Sequence, residues 1–130
     1  MSFQRVFSGA PWEKKVGYCR VLKAGNNIYI TGTTPIDEKG QTLKTKDAYK
    51  QARRCFEIIR DSLKKIDVPM SKIVRTRMFV TDISLWEEFG RAHAEFFSEH
   101  PPTTSMIEVK GLIDPNMLIE IEADAYVGET

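Results

Sequence analysis

The clearest hydrophobic–polar pattern lies near the C-terminus. Ile119, Ile121, Ala123, Ala125 and Val127 alternate with Glu120, Glu122, Asp124 and Tyr126. This predicts a strand with one dry face and one face carrying three carboxylates. Like charges on one strand face repel, so the acids must be solvated, lie opposite basic groups, or line a site. A second alternation, Val74, Thr76, Met78 and Val80 against Arg75 and Arg77, predicts a strand over 73–80. Its arginines suit cross-strand pairing with the acids.

Two segments carry helical spacing instead. Ala48, Ala52, Cys55, Ile59, Leu63 and Ile66 form an apolar stripe within 47–66, with Asp47 as N-cap and Val68-Pro69 as the stop. Ser84 and Glu87 form a capping-box pattern that predicts a second helix from 84 to about His100, with Leu85, Phe89, Ala92 and Phe96 inward, and with Pro101-Pro102 blocking continuation. Strand-like stretches at 18–23 and 27–31 flank Ala24-Gly25-Asn26, a hairpin turn. Residues 3–7 suit an edge strand, and 8–15 read as loop. The block from Pro102 to Val109 supplies one more strand, with Ser105, Ile107 and Val109 toward the helices and Thr104 and Met106 on the opposite side.

The order is strands, helix, strand, helix, two strands. This predicts an α+β fold, a single domain over 1–130, whose one mixed, mostly antiparallel sheet carries both helices on one face. A chain of 130 residues buries enough surface to fold without disulfides or metal. With only Cys19 and Cys55, no secretory leader and no long apolar run, a reducing, cytoplasmic setting without membrane insertion is expected. The net charge of +1 argues against nucleic acid as a partner. No Cys/His/carboxylate set has metal spacing, and no phosphate loop, dinucleotide fingerprint or nucleophile elbow is present. His93 reads as a packed or surface histidine, and Trp12 and Trp86 as packing anchors.

Several blocks together resemble the Rid (reactive intermediate deaminase) or YjgF-like family, also called the L-PSP endoribonuclease family. They are Val16-Gly17-Tyr18, Ile30-Thr31-Gly32-Thr33-Thr34-Pro35, Met78 to Ile83, Phe96-Phe97, and above all Pro102 to Val109 with Leu118 to Ala125. The resemblance implies a chorismate-mutase-like fold and a homotrimer. The sheets would form an inner barrel, with ligand clefts between subunits. It also implies hydrolysis of imines or enamines to a carbonyl compound and ammonia, with no cofactor. Glu120 matches the glutamate that positions or activates water, a role that needs a carboxylate within reach of water beside an electron-poor carbon. Its acidic neighbours are expected to raise its proton affinity. Tyr18 matches an aromatic that closes the cleft, and Thr33 and Thr34 lie in a turn that presents polar groups to a ligand. The chain departs from the archetypal deaminases at one point. Pro102-Thr103-Thr104-Ser105 stands where they have Pro-Ala-Arg-Ser, so Thr104 brings no charge for a substrate carboxylate. Thr104 and Met106 are expected to line the pocket, and Arg20, Arg75 or Arg77 to be a surface ion pair or a replacement anion anchor. The alternatives to a deaminase are a non-catalytic metabolite-binding or chaperone-like trimer and, least favoured by the charge, a ribonuclease.

Overall fold

A computed structural model describes residues 2–129. Six strands form one sheet in the order β1-β2-β3-β6-β4-β5. These are β1 (Phe3–Val6), β2 (Val21–Ala24), β3 (Asn27–Thr33), β4 (Ile73–Val80), β5 (Thr103–Glu108) and β6 (Ile119–Tyr126). Only β4 and β5 run parallel, and the crossover between them carries a helix, as a parallel connection requires. The mixed, mostly antiparallel sheet is therefore as expected.

Two long helices, α2 (Ala48–Lys64) and α3 (Trp86–Phe97), cover one face. A short third helix, α1 (Pro11–Val16), occupies the segment expected to be loop. Pro11 opens it with its fixed φ, and Gly17 at φ +91 closes it, a conformation glycine adopts without steric cost. Asp47 caps α2 as expected, accepting a 3.0 Å hydrogen bond from the Lys50 amide. The Ser84–Glu87 box does not form. Asp82 instead accepts from the Ser84 amide, a 3₁₀ turn spans Ile83–Leu85, and α3 starts at Trp86 without a side-chain cap. The shorter, stiffer aspartate two residues upstream satisfies the turn locally.

The core lies between the sheet and the two long helices. Ile28, Ile30, Met78, Val80, Ile119 and Ile121 face Phe56, Ile59, Leu63, Phe89 and Phe97, all of them buried. Trp12 and Trp86 stay outside it and are exposed. A β-bulge between Ile73 and Arg75 places Val74 on the solvent side of β4, although simple alternation puts it with Thr76.

A histidine borders the apolar layer. Phe56 and Phe97 flank the His93 ring, with centroids 5.5 and 4.5 Å away, and its Nε2 lies 2.8 Å from Thr76 Oγ1. Burial lowers its pKa to about 4. The folded ring therefore stays neutral where the unfolded ring already takes a proton. Stability is full above about pH 6.5 and falls as the pH drops toward about 4. Between pH 7.5 and 4.5 this amounts to about 2–3 kcal/mol. Urea denaturation at the two pH values, in wild type and His93→Gln, measures it as the difference between the two drops.

Candidate functional site

The sheet face away from α2 and α3 carries the acids. Strand register sets them in cross-strand rows: Tyr29, Asp124 and Arg75 in one, Glu122 and Arg77 in the next, Glu120 and Phe79 in the third. The expected charge pairing forms for two of the three acids. Arg77 Nη1 lies 3.2 Å from Glu122 and 3.4 Å from Asp124. Glu120 faces Phe79 and receives no hydrogen bond among the described residues.

Glu120 lies against Gly32 instead. A Cβ at position 32 would overlap Glu120 Oε2 and sit 3.1 Å from its Cδ, so the carboxylate fills the space that glycine leaves open. Burial, and then the negative charge of Glu122, raise the proton affinity of Glu120, while Arg20 opposes them. The start of β6 is held in place from behind. The buried Gln51 accepts from the Leu118 amide at 2.8 Å and donates to the carbonyls of Thr45 and Asn116 at 3.0 Å each.

Arg20 is neither a surface group nor an ion-pair partner. It is only 9% exposed, and its Nη2 donates to the carbonyls of Thr31 (3.2 Å) and Gly32 (2.9 Å). Those carbonyls are free because the β3–β6 register shifts between Ile30 and Thr33. Arg20 and Glu120 thus flank the same glycine.

Tyr18 lines an open cleft of about 760 Å³ on the acidic face, with Phe7, Leu22, Tyr29 and Arg77 among its walls. Glu120 and Arg20 do not line it. Three of the expected pocket residues sit elsewhere. Thr33 is fully buried beside Ile121 on the helix side, and its hydroxyl donates to the Thr31 carbonyl at 2.8 Å. Thr104 and Met106 pair in register with Thr76 and Met78, so they too face the helix side. Thr76 Oγ1 lies 2.7 Å from Thr104 Oγ1, and Met106 packs against the core. The expectation for that strand is inverted because the β4–β5 register sets Thr104 beside Thr76 and Met106 beside Met78, and residues opposite each other on neighbouring strands share a face. Thr34 is half-buried in the turn after β3. Within one protomer, Glu120, Arg20 and Tyr18 therefore share a region, while Thr104 and Met106 lie at the β5 edge on the other side.

Four similarities place the chain. The sequence profile of the Endoribonuclease L-PSP family matches residues 10–127. The chain belongs to this family. A 3-aminoacrylate deaminase, RutC, from Acinetobacter baylyi is 30% identical over 110 residues, which cover 85% of this chain and 86% of that protein. The crystal structure of a YjgF/YER057c/UK114 family member from Mycobacterium tuberculosis superimposes with a TM-score of 0.88 at 40% identity, covering 97% of this chain and all of that one. The YjgF gene product from E. coli gives a TM-score of 0.79 at 26% identity, over 94% and 93% of the two chains. The Rid/YjgF resemblance and the three-helix, mixed-sheet fold are thereby established, and one of these relatives is named as a 3-aminoacrylate deaminase. No helix among the described residues is long and apolar enough to cross a membrane.

Two features of the site were not apparent from sequence patterns. The Gly32 gap under Glu120 depends on where β3 and β6 meet. The Thr76–Thr104 contact depends on the parallel pairing of β4 and β5.

Proposed function

We propose that this protein is a deaminase-type hydrolase of small imine or enamine metabolites, with Glu120 as the general base. The observation that carries this reading is the contrast among the three acids. Arg77 pairs with Glu122 and Asp124, whereas Glu120 has no cation or hydrogen-bond donor bound to it among the described residues and rests on a bare glycine. A carboxylate so placed is available to water.

The chemistry follows from that availability. Glu120 accepts a proton from water as the oxygen adds to the C=N carbon. It returns that proton to nitrogen to give the carbinolamine, then carries the hydroxyl proton to the amino nitrogen as the C–N bond breaks, leaving a carbonyl compound and ammonia. No redox change occurs. An enamine first takes a proton at carbon to give the imine. The raised proton affinity of Glu120 suits both halves of the cycle, because a base closer to neutrality also returns its proton more readily. Activity then falls at acid pH as Glu120 protonates, at a pH above the ordinary carboxylate range.

The working form in this reading is a homotrimer assembled through the acidic sheet faces. Phe7, Tyr29, Val74, Ile107 and Tyr126 stand exposed on the protomer, and a second copy would cover them.

The test generates an imine in situ with an amino-acid oxidase and follows release of the 2-oxo acid with and without the protein. Acceleration across some class of side chain is expected, and none for any class rejects the reading. Gly32→Ala supplies a sharper check. The added methyl pushes the Glu120 carboxylate aside, and because a side-chain tip can move, the fold persists. Turnover is expected to drop about 10²-fold, with the denaturation midpoint almost unchanged.

A further inference from the structure

One large cleft takes no part in the chemistry assigned to Glu120. It is the opening of about 760 Å³ on the acidic face, and neither Glu120 nor Arg20 lines it. Strand register builds its floor. Arg5, Leu22, Tyr29 and Asp124 stand in one row across β1, β2, β3 and β6, so all four belong to the same face. Phe7, Tyr18 and Tyr29 put three aromatic rings among its walls, and all three are exposed. A cleft of this volume is within the range that encloses small organic ligands.

The charges around this cleft do not cancel. Three acids line it, Glu13, Glu122 and Asp124, and each is already engaged. Arg77 Nη1 holds Glu122 and Asp124 at 3.2 and 3.4 Å. Glu13 is buried, its carboxylate accepts from the amide and hydroxyl of Ser8, and its charge lies near the buried Arg20. Arg5 and Lys14 also line the cleft, are exposed, and form no salt bridge among the described residues. The register keeps Arg5 away from the acids of β6. Its neighbours across the sheet are the uncharged Leu22 and Tyr29, and β6 is the third strand over, about 14 Å away. The guanidinium rests over the Phe3 ring instead, 5.6 Å from its centroid. The β1 and α1 side of the cleft therefore holds two uncompensated cations beside aromatic rings.

Beyond the imine chemistry, we propose that this cleft binds a flat aromatic ring that carries a phosphate group. The ring lies among Phe7, Tyr18 and Tyr29, where offset-stacked or edge-on contacts between rings are favourable. The phosphate goes to Arg5 and Lys14, which offer charge and donors without first releasing an acid. A carboxylate would leave one of the two cations unmatched, whereas a phosphate monoester carries about two negative charges at neutral pH. A second copy laid over Phe7 and Tyr29, as in the homotrimer proposed above, roofs the cleft and shields the ring from water.

Titration calorimetry of the full-length protein with naphthyl phosphate, naphthol and inorganic phosphate tests the assignment. Wild type is expected to bind naphthyl phosphate about tenfold to a hundredfold more tightly than naphthol. It is expected to bind it about tenfold more tightly than inorganic phosphate. Replacing both cations, Arg5→Gln together with Lys14→Gln, brings naphthyl phosphate down to the affinity of naphthol, and both side chains are exposed, so the fold is kept. Tyr29→Ala weakens naphthyl phosphate and naphthol alike and leaves inorganic phosphate unchanged. Equal binding of the ester and the alcohol in wild type, or an unchanged ratio in the double variant, overturns the proposal. So does inorganic phosphate binding as tightly as the ester, which marks surface charge only. Failure of every ligand to bind also overturns it, and marks a cleft filled by the second copy. Glu120→Gln separates this site from the deaminase reading, because it is expected to leave the three affinities unchanged. Absence of imine hydrolysis with the binding ratios intact rejects only the deaminase reading, and the reverse result rejects only the phosphate site.

Discussion

Replacing Glu120 by glutamine is expected to leave the fold intact and to lower imine hydrolysis by about 10²- to 10⁴-fold. The variant keeps the shape of the side chain and its fit against Gly32 but replaces the basic carboxylate with an amide that cannot take a proton from water. The fold tolerates the change because the ionised carboxylate is itself a burden: burial and Glu122 both disfavour its charge. Neutralising it removes that cost, so the denaturation midpoint should hold or rise slightly. Glu122→Gln is the matched control. It takes away one of the two partners of Arg77 and leaves Glu120 in place, so activity should change by less than about tenfold. Measuring the initial rate of 2-oxo acid release for the three proteins decides the matter, and equal rates in wild type and Glu120→Gln would remove Glu120 from the mechanism.

The largest effect on stability is expected at Phe56. Its side chain is fully buried on α2 and packs its ring against His93, Phe96 and Phe97 at centroid distances of 5.3–5.5 Å. Phe56→Ala removes this three-way contact between α2 and α3 and opens a cavity that the aromatic neighbours cannot fill. A loss of about 3–5 kcal/mol follows, read as a lower urea midpoint at an unchanged slope. His93 gives a second readout of the same change. Water entering beside the imidazole weakens the burial that keeps its pKa low, so the acid sensitivity between pH 6.5 and 4 should shrink in the variant. A loss under about 1 kcal/mol would mean that α2 and α3 are held together elsewhere.

Both results concern side chains whose roles differ in how far they can be read from the chain. Phe56 sits one position from the Cys55 of the apolar stripe, and period 3.6 alone puts that neighbourhood indoors. Glu120 stands out in the sequence only as one of three alternating acids. What sets it apart from Glu122 and Asp124 is the register of β6 against β4, which places Arg77 beside two of them and Phe79 beside the third. Thr104 and Met106 show the same limit from the other direction. Alternation tells which residues of a strand share a face, but not which face the strand turns to the helices. On β5, where threonine, serine, methionine and isoleucine are all compatible with either side, the register against β4 chose. Thr33 was hidden for a related reason, since the register shift in β3 changes the side to which the residues after it point.

The sequence by itself determined most of the elements and their type: two amphipathic helices, a sheet of alternating strands and an acidic face, whereas the turn expected at Gly32 is strand, since β3 runs on to Thr33. These follow from periodicity and from backbone restrictions that act within a few residues. Only the tertiary structure decided which of those acids lacks a partner, that Arg20 goes inward to the Thr31 and Gly32 carbonyls, and that Thr104 turns toward Thr76. Each of these depends on groups brought together from strands far apart in the chain, and the energies of charge and hydrogen bonding are set by such neighbours at a few ångströms and not by position along the backbone.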